Sequence, residues 1–475
     1  MIPEVALIAT LVIIFLADFI SSKKNRPWLN TLAWVLTLIV TGVCMYLLNG
    51  GCSYQHLFGG MYTSSPAINV MKTILTAGTV IVLIQSKAWI TSPEMKNKEG
   101  EFYMLVISTL LGMFMMMSAG HFLMFFLGLE LASVPMACLA ALDKYRKQSA
   151  EAGAKFILTA VFSSGVMLYG VSLIYGALGT LYFDDVANLI ANAQTTLSGK
   201  MPVLIVGMVF FFAGLGFKIS LVPFHFWTAD TYQGGPTTVT GYLSVISKGA
   251  AAFTLMMILL HVFAALSQWW AYLLYAVIVL SITIANLFAL RQKDLKRFMA
   301  YSSISQAGYI MLAVVGDNKL GMAALVYYIL VYIVANLAVF SVIGTIEKNN
   351  NGTVDMDSYN GLYTTNPKLS LLMTLALFSL GGIPPFAGFF SKFFVFMSAT
   401  EAKWYLLVFI ALINTVISLY YYLLIVKAMY INKNENPLPA FKSDCNTKIA
   451  LTLCTAGVIL FGICSFFYDW IFAAM

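Results

Sequence analysis

Five ionisable side chains lie inside apolar stretches long enough to cross a bilayer: Glu130, Lys155, Lys218, Lys248 and Lys392. An intramembrane charge of this kind costs ~2.5 to 3.5 kcal/mol on insertion scales, so a chain that keeps several is using them, and the usual use is moving ions or protons. His225 lies close to Lys218, and its unperturbed pKa near neutrality makes it a candidate relay.

The elements that must position these groups follow from composition. The chain is 60% hydrophobic and only 10% charged, against roughly 25% charged in a soluble domain. About 20 apolar residues cross a hydrocarbon core of ~30 Å, and the 475 residues divide into fourteen such spans. Their expected bounds are 4–20, 29–48, 67–86, 103–119, 121–142, 153–177, 203–227, 236–262, 270–289, 297–315, 320–346, 370–398, 404–428 and 449–472. The fold class is therefore an all-α polytopic membrane protein. The first run starts at Ile2 with no basic segment before it and no cleavage signature after it, so it reads as a retained helix.

The net charge of +7 does not call for a nucleic-acid partner, because its distribution is that of the positive-inside rule. Of 27 Lys and Arg, nineteen fall in the odd-numbered loops, among them Lys23, Lys24, Lys96, Arg146, Arg291 and Lys348. Three fall in the even-numbered loops: Lys200, Lys319 and Lys403. Both termini are then expected on the non-cytoplasmic side. Lys72, the fifth intramembrane lysine, reads as a residue that snorkels to the interface. The six cysteines, Cys52 among them, are scattered with no CxxC pair, which indicates neither a disulfide framework nor a metal site. The polar stretches 178–202, 347–369 and 429–448 read as loops, and the Asn351-Gly352-Thr353 sequon as incidental. Asp230 and Asp294 fall in loops, where they would cap helices or pair with nearby bases.

Two spans carry helix breakers. Pro223 follows Lys218 in the seventh, with Gly234-Gly235-Pro236 opening the eighth, and Gly381-Gly382-Ile383-Pro384-Pro385 precedes Lys392 in the twelfth. Proline removes a backbone donor and clashes with the preceding turn, so both spans should be discontinuous. Paired interruptions in corresponding positions point to an inverted-repeat transporter and its ion path. The seventh span is fourth in the set four to eight, and the twelfth is fourth in nine to thirteen. Five is odd, so the second set runs in the opposite membrane sense. The expected division is 1–102 for spans one to three, 103–262 and 263–428 for two inverted five-helix repeats, and 429–475 for a loop and the last span. Gly128 and Ala132 make a small-xxx-small face for close approach of a neighbouring helix beside Glu130.

The segments around the lysines read Phe217-Lys218-Ile219-Ser220-Leu221-Val222-Pro223-Phe224-His225-Phe226-Trp227 and Ser247-Lys248-Gly249-Ala250-Ala251-Ala252-Phe253. Together with Gly128-Leu129-Glu130-Leu131-Ala132-Ser133-Val134-Pro135, Lys296-Arg297-Phe298-Met299-Ala300-Tyr301-Ser302-Ser303 and the Gly381 to Pro385 motif, they resemble the antiporter-like proton-translocating subunits of respiratory complex I, relatives of the Mrp cation/proton antiporters. The length, ending at the fourteenth span, and a lysine at 392 where M-type members typically have glutamate resemble the N-type branch. The resemblance implies a proton-transfer line in which Glu130 and Lys218 pair in the first half, Lys248 carries the proton along the central axis, and Lys392 leads to the far-side exit. Lys155 would modulate the Glu130 and Lys218 pair. One departure is Gln306, which stands where many N-type members have histidine and cannot titrate, so a step there would need an ordered water chain.

The resemblance further implies a hetero-oligomer in a bacterial inner membrane, with K-type and M-type neighbours and lipid around it. This chain would hold no cofactor; NAD, FMN, iron-sulfur clusters and quinone would belong to other subunits. The competing readings are an Mrp-type cation/proton antiporter, the M-type subunit, and a scaffold whose charges only hold subunits together.

Overall fold

The computed structural model describes residues 1–21, 26–49, 55–92, 95, 97–196, 198–350, 352–434, 438–464 and 466–475. Lys23, Lys24, Lys96, Cys52 and Asn351 lie outside the described residues. The first six helices are α1 (Ile2–Ile20), α2 (Pro27–Asn49), α3 (Pro66–Ile90), α4 (Glu99–Met117), α5 (Phe122–Ala140) and α6 (Lys147–Leu178). Then come α7 (Phe183–Thr196), α8 (Met201–Ile219), α9 (Phe226–Gly234), α10 (Thr237–Tyr242), α11 (Lys248–His261), α12 (Ser267–Ala289), α13 (Leu295–Val315) and α14 (Lys319–Asn349). The remainder are α15 (Leu362–Thr365), α16 (Pro367–Gly381), α17 (Ala387–Glu401), α18 (Tyr405–Tyr430), α19 (Cys445–Ile463) and α20 (Phe466–Ala474). A small antiparallel hairpin, β1 (Gln55–Leu57) with β2 (Tyr62–Ser64), joins α2 to α3.

Each of the fourteen expected spans has its counterpart, the seventh as α8 with α9, the eighth as α10 with α11, the twelfth as α16 with α17 and the fourteenth, expected as one helix, as α19 with α20. Three stretches differ from expectation. The region 178–202 is not a plain loop but contains α7, whose Val186 and Ile190 are buried while Asp184 and Asp185 face out. The region 347–369 holds a short 3-10 turn, Met356–Tyr359, and α15. Asp230 lies on α9, the second half of the seventh span, rather than in a loop.

The two breaks end alike. Ser220 (φ 69°) closes α8 in the left-handed conformation, with Leu221 N–H donating to Gly216 O at 2.8 Å. Gly382 (φ 84°) closes α16, with Ile383 N–H donating to Phe378 O at 3.0 Å. Such caps satisfy the last helical carbonyls at depth, where water is scarce. The segment between α8 and α9 is further held by Val222 N–H to Ser281 Oγ at 2.9 Å and by the Trp227 indole to Phe217 O at 3.1 Å.

Helices α3, α10, α11, α13 and α14 are buried nearly all round and form the interior of the bundle. Helices that are apolar on every side belong in such positions. At the α4/α5 contact a Cβ on Gly128 would meet Met116 N at 2.5 Å, and one on Gly112 would meet Ala132 N at 2.4 Å. The expected close approach beside Glu130 is therefore real, and Gly112 is its second half.

Lys72 corrects the sequence reading. It does not snorkel: its side chain is 0% exposed, and Nζ meets Glu4 Oε1 at 2.5 Å. Glu4 also accepts from the Tyr62 hydroxyl at 3.0 Å, so a buried ion pair ties α1 to α3. Glu4 is a further ionisable group within an apolar span, overlooked because it stands one turn from the start of its helix.

Candidate functional site

Lys218, on the last turn of α8, is buried, and its Nζ donates to Ser133 Oγ on α5 at 2.7 Å. Ser133 sits one turn beyond Leu129 and donates to its carbonyl at 2.7 Å. Glu130 and Lys218 do not meet in an ion pair. Glu130 instead accepts from Ser164 Oγ of α6 at 2.5 Å and is half-buried at the α5/α6 seam.

Lys248 opens α11 directly after a π-helical segment, Leu243–Ser247, that the sequence did not disclose. Single wide turns of this kind are frequent at functional sites. The buried Nζ donates to Ser303 Oγ of α13 at 2.6 Å and lies 5.2 Å from the centre of the Tyr232 ring. Beside it, Asn336 of α14 donates to Ser244 Oγ at 2.6 Å.

Lys392 reaches back across the second break. Its Nζ donates to Leu380 O at 3.1 Å and Gly381 O at 3.2 Å, the carbonyls that end α16. Gln306 of α13 donates to the same Leu380 O at 3.3 Å and to the Tyr422 hydroxyl at 3.2 Å, and accepts from the Tyr328 hydroxyl. Tyr422 in turn bonds Ser302 Oγ at 2.5 Å, one residue from the Ser303 that holds Lys248. A void of about 10 Å³ among Gln306, Tyr328, Tyr332 and Lys392 is at the lower limit for one water.

His225 is buried between the halves of the seventh span, its ring stacked on Phe226 at 4.6 Å and its Nδ1 without a hydrogen-bond partner. Ser220, Thr228, Thr231, Ser247, Ser305 and Tyr332 also have buried hydroxyls without a partner, and Asn336 a buried Oδ1. These atoms lie at the breaks and on the helices between the lysines. Sequence reasoning missed the hydroxyl lattice of Tyr328, Tyr332 and Tyr422, because tyrosine within an apolar span reads as bulk.

Lys155 is placed apart from the Lys218 contact. It is 44% exposed and pairs with Glu151 and Asp230, each at 2.7 Å. Asp230 also holds Arg297 of α13 at 2.7 Å, so the chain Lys155, Asp230, Arg297 bridges α6, α9 and α13. Asp294 caps α13 by accepting from Arg297 N–H at 2.8 Å. Among the described residues no cluster of His, Cys, Asp and Glu is arranged to hold a metal ion.

Residues 119–418 match the family model described as NADH:quinone oxidoreductase/Mrp antiporter, TM. The NADH-quinone oxidoreductase subunit N of Phocaeicola vulgatus is 58% identical over 466 residues, covering 98% of this chain and 96% of that protein. The chain belongs to the NADH-quinone oxidoreductase subunit N family. A second subunit N, from Azobacteroides pseudotrichonymphae, is 48% identical and covers 98% of this chain and 96% of its own length. Among solved structures, a chain of respiratory complex I from Thermus thermophilus with bound aureothin aligns with a TM-score of 0.80 at 29% identity, covering 97% of both chains. A chain of the Mrp complex from Dietzia sp. DQ12-45-1b aligns with a TM-score of 0.85 at 19% identity over 99% of this chain and 95% of that one, a likeness of fold. In this fold Lys218 and Lys392 are buried at the two breaks and Lys248 beside the π-helical segment.

Proposed function

We propose that the chain is the proton-translocating N-type membrane subunit of an NADH:quinone oxidoreductase, coupling electron transfer on other subunits to proton movement along Glu130, Lys218, Lys248 and Lys392. One observation carries this reading: among the described residues, Lys218, Lys248 and Lys392 each have hydroxyl or carbonyl partners and no carboxylate in contact. A lysine kept for structure is held by a buried counterion, as Lys72 is by Glu4. A serine oxygen accepts from an ammonium and equally from an N–H of the neutral amine, so Lys218 with Ser133 and Lys248 with Ser303 stay bonded in either protonation state. A neutral Lys392 amine still donates to its two carbonyls. The site thus tolerates both states of each lysine, as stepwise proton transfer requires.

Water completes the line. Buried polar atoms that lack protein partners are normally satisfied by ordered water, and several of them, on Ser220, Ser247, Ser305, Tyr332 and Asn336, belong to the elements that carry or contact the lysines. His225 serves as a relay at the first break, and a water held by Gln306 and the tyrosines carries the step that a histidine would otherwise take. Lys155 modulates the Glu130 and Lys218 half through the Asp230 to Arg297 bridge. The division into two inverted repeats, with both termini on the non-cytoplasmic side of a bacterial inner membrane, fits this reading. So does a hetero-oligomer in which NAD, FMN, iron-sulfur clusters and quinone reside on other subunits and K-type and M-type subunits are the membrane neighbours.

The test is quinone-coupled proton pumping by the assembled, reconstituted complex carrying Glu130→Ala or Lys218→Ala. The reading expects a lower proton yield in both variants. Wild-type yield with intact assembly would contradict it, and NADH-independent sodium/proton exchange would favour the antiporter reading instead.

A further inference from the structure

A cavity of about 600 Å³ opens at the end of the bundle that carries the basic loops, lined by Asp143, Arg146, Thr237, Ser341 and Glu347, with Lys348 and Lys442 exposed at its rim. Its charges are mutually compensated: Arg146 lies 3.4 Å from Asp143 and 3.0 Å from Glu347, and buried Lys296 lies 3.5 Å from the same Glu347. Such a lining suits water better than an anionic or cationic ligand.

Helix α14 connects this cavity to the lysines. Neighbours four apart on a helix adjoin one another, and Tyr328, Tyr332, Asn336, Phe340 and Gly344 succeed each other in this way along a ridge that winds round α14. Gly344 and Phe340 line the cavity. On the other side of Phe340, Asn336 contacts the π-helical segment that precedes Lys248, and Tyr332 and Tyr328 border the void at Lys392. Asn336 Oδ1 and the Tyr332 hydroxyl have no hydrogen-bond partner. Phe340 is thus an apolar break in an otherwise polar or unobstructed ridge. It is 2% exposed, its ring lies 6.5 Å from that of Tyr232, and its Cβ is 3.3 Å from where a Cβ on Gly241 would stand. A hydrophobic constriction between two hydratable volumes blocks passage by excluding water, and it opens when the side chain moves.

We propose that the cavity is the aqueous inlet of the proton path and that Phe340 is its hydrophobic gate, separating inlet water from Asn336, Lys248 and Lys392. This rests on the proton-translocating reading and adds where protons enter and what holds them back. The experiment uses the assembled complex in sealed vesicles, with Cys138→Ser and Cys445→Ser removing the exposed thiols among the described residues and this parent serving as the blank. A small membrane-impermeant methanethiosulfonate is applied from each face in turn. Ser341→Cys should be modified from one face only, while Asn336→Cys stays at the blank. Adding Phe340→Ala should bring Asn336→Cys close to the Ser341→Cys rate from that same face, and Phe340→Ala alone should speed collapse of an imposed pH gradient without substrate. An unreactive Ser341→Cys would overturn the inlet, and an Asn336→Cys equally reactive with and without Phe340 would overturn the gate. Labelling needs no pumping, so these failures are separate from a normal proton yield in Lys218→Ala, which would remove the reading beneath.

Discussion

Lys392 and Gln306 donate to the same carbonyl, that of Leu380, at 3.1 and 3.3 Å. The break in the twelfth span frees that oxygen from its helix, and the two side chains meet on it. A residue that cannot titrate is thereby built into the contact shell of one that can, joined onward to Tyr328 and Tyr422.

Replacing Gln306 by leucine removes both donor and acceptor from this lattice while keeping its bulk. Proton yield per quinone reduced should fall in Gln306→Leu and remain near wild type in Gln306→His, which can still donate and accept. Equal yields in the two variants would remove Gln306 from the line.

Among the described residues, Ser303 is the one side chain that accepts a hydrogen bond from Lys248 Nζ, at 2.6 Å. A hydrogen bond to a charged group contributes about 1.5 to 3 kcal/mol, so Ser303→Ala should slow pumping well beyond any loss of assembled complex. Ser303→Thr, which keeps the hydroxyl, should restore it. The ratio of pumping rate to assembled complex, measured for both variants, is the readout.

The Glu4 and Lys72 pair predicts the opposite pattern. Removing one partner of a buried ion pair strands the other charge and typically destabilises by about 3 to 5 kcal/mol, whereas replacing both with apolar residues is often neutral. Lys72→Ala should therefore lower the yield and melting temperature of the complex, and Lys72→Met with Glu4→Leu should recover both. Pumping per assembled complex should stay unchanged throughout.

Lys155 should matter less than Lys218. It is 44% exposed and ion-paired to two carboxylates, and ion pairs this accessible to solvent contribute little. Lys155→Ala should give a proton yield between those of wild type and Lys218→Ala in reconstituted complex.

The fourteen spans were legible because length and hydropathy alone decide a membrane helix, and both breaks because Pro223 and the Gly381 to Pro385 motif leave no other choice. The positions of Lys218, Lys248 and Lys392 inside them followed directly. Partners were not legible, since they come from distant segments: Ser133 lies 85 residues from Lys218, and Ser303 lies 55 from Lys248. The π-helical segment before Lys248 has no breaker to mark it. Helix α7 escaped because it is 14 residues long and amphipathic, too short and too polar for a span. Lys72 was misread because a lysine near a helix start resembles a snorkelling residue until its counterion, Glu4 on another helix, is placed beside it.

The central claim is that Lys218, Lys248 and Lys392, buried without a carboxylate in contact among the described residues, carry protons, while Lys72, paired with Glu4, carries structure. Its most direct measurement is the number of protons moved per NADH oxidised in reconstituted complex, compared between Lys248→Ala and Lys72→Ala at equal amounts of assembled enzyme. The account predicts a reduced ratio for Lys248→Ala and a wild-type ratio for Lys72→Ala. A wild-type ratio for Lys248→Ala, or the same reduction in both, would contradict it.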